Sequence, residues 1–414
     1  MTAGNIAAGA AVSTHMKNTC IAALVFCTCA TAQPVVQWNR ELLSLLRTPG
    51  AQPATVHATR SLAILHAAIY DAVNSIDGSH APYRIMLPNL PATISQDAAA
   101  DAAAHQVLVS LFPAFTATLD SFYQQQLAPI PDSADKSAGI QAGITVANDI
   151  LALRANDGSG VTPPPLVFGT GPGAYQKTPP NFPNPVFTHW SGVTPFALQQ
   201  ANQFRPGPPP ALSSQTYLNA FSEVETIGMQ RSEAATTDQR IIGVFWNGAI
   251  QDYWNEIGQT AALAANLTTA QSARLFALLN FALADTVIAF YDAKYTYTFW
   301  RPVTAIRASD PANPNWLPET VTTAADPSYP GAHGAISAAA ATVLTAATGS
   351  DQFTFSVTSE VFAGVVRSFT SFSAASQEAF LSRIYAGQHF RFDQDAGSQL
   401  GTSVANFVLS TQLH

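Results

Sequence analysis

The sequence predicts an all-α protein built from helical bundles. Hydrophobic residues make up 47% of the 414 residues, which is enough for a large core. Apolar residues recur at helical spacing through most of the chain, as in 35–46 and 56–73. We find no sustained alternation of β-branched residues and no internal repeat. Helices are therefore expected to pack against helices.

The predicted helices form two groups on either side of a proline-rich segment. Glycine, proline and the capping residues Ser, Thr, Asp and Asn mark the ends of the apolar periodic stretches. The first group is expected at residues 35–46, 56–73, 97–111, 115–127 and 133–155. The second group is expected at residues 215–229, 237–246, 251–264, 268–295, 335–347, 357–369, 377–385 and 393–409.

Residues 161–212 hold nearly half of the 28 prolines and predict an irregular segment between the two groups. Proline lacks the N–H group that both helices and sheets use. Aromatic residues such as Trp190 and Phe196 indicate that the segment packs on the surface, and a structural wrap is favoured over a lid. The predicted organisation is an N-terminal helical part at 33–160, this connecting segment, and a C-terminal helical part at 213–414.

The charge balance excludes nucleic acid as an expected partner. Charged residues are 11% of the chain, against a typical ~25%. The net charge is −8 and the pI is about 5.5. An acidic surface repels polyanions, so a concentrated basic site in such a chain suits a small anion.

The N-terminal residues 1–32 are expected to be an export signal. Met16 and a following lysine give a positive start, residues 21–29 are apolar, and Ala30-Thr31-Ala32 gives an Ala-x-Ala cleavage site before Gln33. Met16 is a possible true start. The alternative is a buried N-terminal helix, but the run is short and ends in small residues. The protein is therefore expected to be exported to the periplasm or the medium.

The cysteines limit the chemistry of the mature chain. A chain that begins at Gln33 would have no disulfide and no cysteine-ligated metal. No other apolar run is expected to be long enough for a membrane span, which needs ~20 residues. The sequence does not indicate an oligomeric state. All three cysteines lie in the signal segment, at Cys20, Cys27 and Cys29.

Three short segments between residues 294 and 393 carry the distinctive chemistry. The first holds a lysine and, seven positions later, an Arg-Pro pair; the second is a Pro-Gly-Ala-His turn; the third holds an arginine, a histidine and an aspartate. Arginine offers a fork of donors to oxyanion oxygens, lysine adds a point charge, and histidine can ligate, attack or move protons. The segments therefore predict a site for a tetrahedral or trigonal-bipyramidal oxyanion.

Local spacing supports this prediction. The turn that ends at His333 precedes an alanine-rich helix, so its N–H groups and the positive helix end suit an anion. His389 and Asp393 are one helical turn apart, so the carboxylate can hold the imidazole in one tautomer. Other polar residues have structural interpretations: His66 as a satisfied core histidine, and Arg391 and Asp395 as surface charges.

The three segments resemble the vanadium-dependent haloperoxidase and type 2 phosphatidic acid phosphatase superfamily. Its pattern is Lys, six residues, Arg-Pro; then Pro-Ser-Gly-His; then Ser-Arg, five residues, His, three residues, Asp. The first and third segments match at every spacing. The middle segment departs from the pattern, because Gly331 and Ala332 stand where the family has Ser and Gly.

The resemblance implies a helical fold with the site inside the C-terminal bundle, and it implies a role for each motif residue. His389 would ligate the vanadium of vanadate or attack phosphorus. His333 would be the general acid–base group, and Asp393 would orient His389. The residues that would bind the oxyanion are Lys294, Arg301, Gly331, Ala332 and Arg383.

Two enzyme activities fit such a site, because vanadate resembles the phosphoryl-transfer transition state. The favoured one is a vanadate-dependent haloperoxidase, which uses hydrogen peroxide to oxidise halide to a hypohalous species that reacts with a small organic acceptor. The alternative is an acid phosphatase that cleaves phosphomonoesters through a phosphohistidine, without vanadate. An oxyanion-binding protein without turnover is a third reading.

The missing serine predicts a weaker site. One oxyanion hydrogen bond should be absent at Gly331, with Ser328 or Ser337 as replacements to be considered. A serine introduced at position 331 is expected to tighten vanadate binding about tenfold, since one charge-assisted hydrogen bond would be added.

Overall fold

Thirteen α-helices and one β-hairpin make up the described part of the chain, residues 33–414, in the computed structural model. The prediction of an all-α fold is confirmed. The expected signal segment 1–32 lies outside the described residues. The helices are α1 Pro34–Arg47, α2 Ala58–Asp77, α3 Gln96–Leu111, α4 Thr116–Leu127, α5 Ala134–Arg154, α6 Gln215–Ile227, α7 Thr237–Phe245, α8 Ile250–Ala264, α9 Thr269–Tyr297, α10 Pro302–Ser309, α11 Ala332–Thr348, α12 Phe372–Tyr385 and α13 Arg391–Thr411.

Helix α9 is the centre of the fold. It packs against α2 from the first group of helices and against α11 and α13 from the second. Thr268 caps its N-terminus in a capping box with Gln271, which fixes the start of a 29-residue helix. Both groups of helices therefore share one core, and residues 33–414 form one compact unit.

Helix α9 is long and apolar enough to cross a membrane. This corrects the expectation that the chain has no such run beyond the signal segment. The apolar window of α9 is 94% buried by the protein, as in the core helix of a bundle. The helices at Gln96–Leu111 and Pro113–Leu127 are long and apolar enough for a membrane span only when taken together, and the chain bends by 116° between them. Within residues 33–414 these are the candidates, and the burial of α9 accounts for its apolar composition.

His66 occupies the interior of this core, as predicted, but only one ring nitrogen is satisfied, because Nδ1 has no hydrogen-bond partner among residues 33–414. Its ring stacks on Phe276, and its Nε2 lies 2.8 Å from the side-chain nitrogen of Asn39. Burial lowers the pKa of His66 to about 3, so the ring is neutral. It therefore contributes packing and a hydrogen bond to the junction of α1, α2 and α9.

Helices α11 and α13 cross unusually closely, which sets the position of the catalytic motifs that begin each helix. A Cβ atom built on Gly401 of α13 would overlap the carbonyl oxygen of Ala335 in α11. Only glycine permits this approach. The crossing holds the first turn of α11 against α13, and the Gly331 N–H at the start of α11 donates to the Asp393 carbonyl oxygen in the first turn of α13.

The proline-rich segment 161–212 lies along α9, as its aromatic residues predicted. The buried carboxylate of Asp285 accepts N–H groups from Phe196, Ala197 and Leu198, each at 2.7 Å. These three bonds anchor a stretch that has only one short 3₁₀ helix, Trp190–Gly192. The contacts support a structural wrap at this end of the segment.

The predicted helix at 357–369 is wrong. These residues belong to an antiparallel hairpin of β1 Gln352–Thr358 and β2 Val366–Ser371. Phe355 of β1 faces Phe369 of β2, and polar residues alternate with them on the outside. This alternation has the period of two that is typical of strands. It is short, so the apolar residues of 357–369 taken together resembled a helical pattern.

Candidate oxyanion site

The three motif segments meet where α9 ends and where α11 and α13 begin. Lys294 lies on the last turn of α9, and Arg301 caps the short helix α10, which the sequence analysis missed. Arg301 precedes a proline and has the extended backbone expected there, with φ −83° and ψ 155°. The side chains of Lys294, Arg301, Arg383 and His389 are at most 5% exposed.

His389 is oriented by two residues beneath it. Its Nδ1 lies 3.1 Å from Oδ2 of Asp393, one helical turn later, as predicted. The Ser328 hydroxyl donates to the same oxygen at 2.5 Å, and the Phe390 N–H donates to it at 3.0 Å. Asp393 therefore caps α13 and holds the proton of His389 on Nδ1.

The other ring nitrogen of His389 faces the cations. Nη1 of Arg301 donates to Nε2 at 2.9 Å, which requires a lone pair on Nε2. Burial lowers the pKa of His389 well below its usual value, and the charges of Arg301 and Lys294 lower it further. His389 is therefore a neutral imidazole whose Nε2 lone pair can act as a ligand or nucleophile once it exchanges the Arg301 hydrogen bond for an anion.

Asp326 is the main acidic partner of the cation cluster, and the sequence analysis missed it. Its Oδ1 pairs with the Arg301 guanidinium and lies 3.3 Å from Nζ of Lys294. Burial opposes ionisation of Asp326, but Lys294 and Arg301 outweigh burial and lower its pKa. Lys294 also donates to the carbonyl oxygens of Pro327 and Ser328. Its ammonium group thus braces the 326–328 loop, and its direct contact with an oxyanion stays a prediction.

His333 lies on the other side of the cluster, against the end of α7. Its Nε2 donates to the carbonyl oxygen of Trp246 at 2.8 Å, which leaves the lone pair on Nδ1. Burial lowers the pKa of His333 well below its usual value, followed by the charge of Arg383. Nη1 of Arg383 donates to Asn247 at 3.1 Å, while its Nε has no partner among residues 33–414. The end of α7 thus positions both motif residues.

The Pro-Gly-Ala-His turn provides the positive end of a helix, but not in the way predicted for Gly331. The Gly331 N–H donates to the Asp393 carbonyl at 2.7 Å and is already used. The N–H groups of Ala332 and His333 have no acceptor within the described part of the chain. They are therefore the backbone donors that remain for an anion at the start of α11.

The expectation that a serine at position 331 adds a hydrogen bond stays a prediction, and the structure adds a condition to it. A Cβ atom built on Gly331 would overlap the side-chain amide of Gln394, so the end of that side chain must move before a serine fits. Of the two serines considered as replacements, Ser337 accepts a hydrogen bond from Trp254 in the core. Ser328 lies beneath His389 and supports Asp393.

Three site residues thus lie outside the motifs: Asp326, Asn247 and Gln394. The sequence offered little signal for them, because Asp326 and Asn247 are on irregular loops without periodicity. Gln394 follows Asp393 directly on α13, and its sequence context does not distinguish it from an ordinary polar helix residue. Its complete burial is visible only once α11 and α13 are packed.

The arrangement defines a class of protein: an all-α protein with a buried oxyanion site. It combines a neutral, oriented histidine ligand or nucleophile with a second neutral histidine that can take a proton. Buried cations and a helix N-terminus surround them, in surroundings of low dielectric that strengthen their attraction for an anion.

Comparison with known proteins agrees with this class. Residues 274–413 match the family model of the VCPO second helical-bundle domain. The chain is 26% identical over 359 residues to the vanadium chloroperoxidase of Curvularia inaequalis, covering 68% of this chain and 59% of that protein. The crystal structure of a bacterial vanadium-dependent iodoperoxidase matches with a TM-score of 0.78 at 27% identity, covering 92% of this chain and 95% of that one.

A holo-type bacterial vanadium-dependent chloroperoxidase matches with a TM-score of 0.69 at 15% identity, covering 92% of this chain and 96% of that one. At that identity the likeness shows the fold alone. Together the matches confirm the resemblance to the vanadium-dependent haloperoxidase and type 2 phosphatidic acid phosphatase superfamily that the three motifs predicted. The chain spans 59% of the length of the curated chloroperoxidase that it matches.

Proposed function

We propose that the protein is a vanadate-dependent haloperoxidase that uses hydrogen peroxide to oxidise halide. The observation that carries the proposal is the neutral His389, whose Nε2 lone pair points into the cation cluster while Asp393 holds its Nδ1 proton. The name of the iodoperoxidase that shares the fold supports the same activity. Export to the periplasm or medium and a small organic acceptor are further parts of this proposal.

The residues of the site fit vanadate. Unpartnered buried donors point to a missing acceptor: Nε of Arg383 and Nε2 of Gln394 have no partner among residues 33–414. His389 Nε2 would supply the ligand nitrogen, and Arg301, Arg383 and the α11 N-terminus would supply donors to the oxygens. When bound, vanadate supplies the Lewis-acid chemistry that activates hydrogen peroxide towards halide.

The chain's own groups supply orientation and proton transfer. Asp393 and Ser328 keep the His389 ring fixed, so that Nε2 cannot rotate away from the anion. His333 is neutral, and its Nδ1 can take the proton of a bound acid and return it to a leaving oxygen. Arg301 and Arg383 stabilise negative charge on the reacting oxygens, in an interior where such charges interact strongly.

The proposal is tested by measuring halide oxidation by the purified, vanadium-free protein. Hydrogen peroxide is supplied with iodide, bromide or chloride, with and without added vanadate. We expect oxidation with at least one halide that appears only with vanadate, and none from His389→Ala. Using three halides also establishes the preference, which the names of the related proteins leave open between iodide and chloride.

A phosphomonoester assay on the same vanadium-free protein tests the alternative activity. Vanadate would then be an inhibitor, because it would occupy the site at which His389 attacks phosphorus. Phosphatase turnover without any vanadate-dependent halide oxidation would overturn the proposal. Tight vanadate binding with neither activity would indicate an oxyanion-binding protein.

A further inference from the structure

The two ends of the Gln394 side chain have different surroundings. Oε1 accepts the N–H of Gly334 at 2.8 Å, whereas Nε2 is buried and has no partner among residues 33–414. The Gly334 N–H requires an acceptor, so this bond fixes which end of the amide is oxygen. The two N–H groups of Nε2 consequently point away from Gly334 without an acceptor.

The free end of the amide lies against the turn that begins α11. A Cβ atom on Gly331 would overlap this amide, so Gln394 fills the space where a side chain of residue 331 would begin. In the family pattern that side chain is serine. Gln394 also follows Asp393, whose carboxylate orients His389. The amide is therefore held against the first turn of α11, at the helix N-terminus.

A buried amide donor without an acceptor is unfavourable, and native proteins rarely keep one. An anion at the start of α11 would supply the missing acceptor. We infer that Gln394 is a further oxyanion-binding residue, whose Nε2–H group takes the place of the serine hydroxyl that Gly331 lacks. The inference rests on the proposed function for the identity of the anion, which is vanadate or phosphate.

The first experiment titrates vanadate, and separately phosphate, into vanadium-free wild type and Gln394→Ala by calorimetry. We expect the affinity of Gln394→Ala to be about tenfold to a hundredfold lower, as for loss of one hydrogen bond to a charged group. Gln399→Ala is the matched control, because Gln399 is exposed on the same helix. Its affinity should equal that of the wild type.

A second variant separates binding from packing. Gln394→Glu keeps the length of the side chain and an oxygen for Gly334, but it replaces the donor with a negatively charged acceptor. We expect Gln394→Glu to bind vanadate more weakly than Gln394→Ala, because the carboxylate repels the anion. If Gln394 only anchored α11, Gln394→Glu would lower the vanadate affinity less than Gln394→Ala does, because Glu keeps the oxygen that accepts the Gly334 N–H.

Exchange of the two side chains provides a further test. Gly331→Ser alone should not tighten binding, because the serine displaces the Gln394 amide and one donor replaces another. In a Gln394→Ala background the same serine has room, and it should recover most of the lost affinity. Thermal unfolding of each variant without anion shows whether the fold is retained.

The possible failures are distinguishable. A wild type that binds neither vanadate nor phosphate contradicts the proposed function itself. A wild type that binds vanadate, with Gln394→Ala and Gln394→Glu both within twofold of it, overturns the inference on Gln394 alone. If Gln394→Ala does not fold, the affinity of Gln394→Glu decides.

Discussion

The two motif histidines differ in which ring nitrogen carries the proton. His389 has its Nδ1 proton held by Asp393 and its Nε2 directed to the cations. His333 has its Nε2 proton held by the Trp246 carbonyl, so its Nδ1 is free. These opposite tautomers imply separate tasks, anion ligation for His389 and proton transfer for His333.

Substitution of each histidine should therefore affect a different measurement. We expect His389→Ala to abolish vanadate binding in calorimetry, because the ligand nitrogen is lost. His333→Ala should bind vanadate within a few-fold of the wild type but lower turnover by roughly a hundred- to ten-thousand-fold, the usual effect of a general acid–base group. Circular dichroism should show the helical content unchanged in both.

His105→Ala is a suitable control, because His105 pairs with Asp120 at the surface on α3. It should leave both binding and turnover unchanged. Normal turnover by His333→Ala would show that the assigned proton-transfer role is wrong.

At this scale the sequence predicted the residues that lie in ordered motifs and missed those that complete their surroundings. Lys294 and Arg301 were recognised because their spacing is fixed along the chain. Asp326 pairs with both of them, yet it comes from a proline-flanked loop whose path has no periodic signal. Gln394 could be recognised as a site residue only through the packing of α13 on Gly331.

Among the elements, the packing of α3 against α1 contains a group whose charge opposes folding. Asp101 of α3 is 1% exposed and accepts the Trp38 indole N–H at 2.8 Å. Burial raises the pKa of Asp101 to about 7; the Trp38 bond opposes this rise and Asp97 adds to it. The folded state therefore keeps a proton that the unfolded chain releases between about pH 4 and pH 7.

The sign of the resulting pH dependence follows from that proton. With the pKa raised on folding, the contribution of Asp101 is most favourable below pH 4 and is lost as the pH rises towards 7. Asp101→Asn keeps an oxygen for Trp38 and has no charge. We expect the free energy of unfolding of Asp101→Asn, relative to wild type, to increase by up to about 4 kcal/mol between pH 4 and pH 8.

Urea unfolding of both proteins at the two pH values gives this difference. Asp149→Asn is the control, because Asp149 is exposed on α5. The free energy of unfolding of this control, relative to wild type, should be nearly the same at both pH values. If the same holds for Asp101→Asn, the raised pKa of Asp101 is contradicted.

The elements themselves were largely predictable, because most helices carry both an apolar stripe and an identifiable cap. Thr268 is the N-terminal cap of α9, and Gly349 is the C-terminal cap of α11 in the left-handed conformation. The hairpin of β1 and β2 was missed because its apolar residues are few and alternate over only six or seven positions. Helix α10 was missed because eight residues show too little periodicity.

For the whole molecule, export remains a prediction that can be tested on the protein's N-terminus. Mass spectrometry of protein recovered from the periplasm or medium of its source cells should find a chain that begins near Gln33. The reason is the Ala-x-Ala site, and a start at Gln33 would leave intact its contacts with Leu267 and Ser272. Thiol titration should then find no free cysteine, whereas an intact N-terminus with Cys20, Cys27 and Cys29 would contradict the signal.

The position of Asp326 has a consequence for which anions the protein accepts. An incoming anion competes with a carboxylate that Arg301 and Lys294 already bind, so it succeeds only by offering more than Asp326 does. Chloride and acetate bring one charge and little geometric advantage. A tetrahedral oxyanion brings several acceptors at once and can use the donors of Arg383 and α11 as well. We therefore expect the internal carboxylate to set a threshold for binding at the cation cluster, which a tetrahedral oxyanion passes more easily than acetate does.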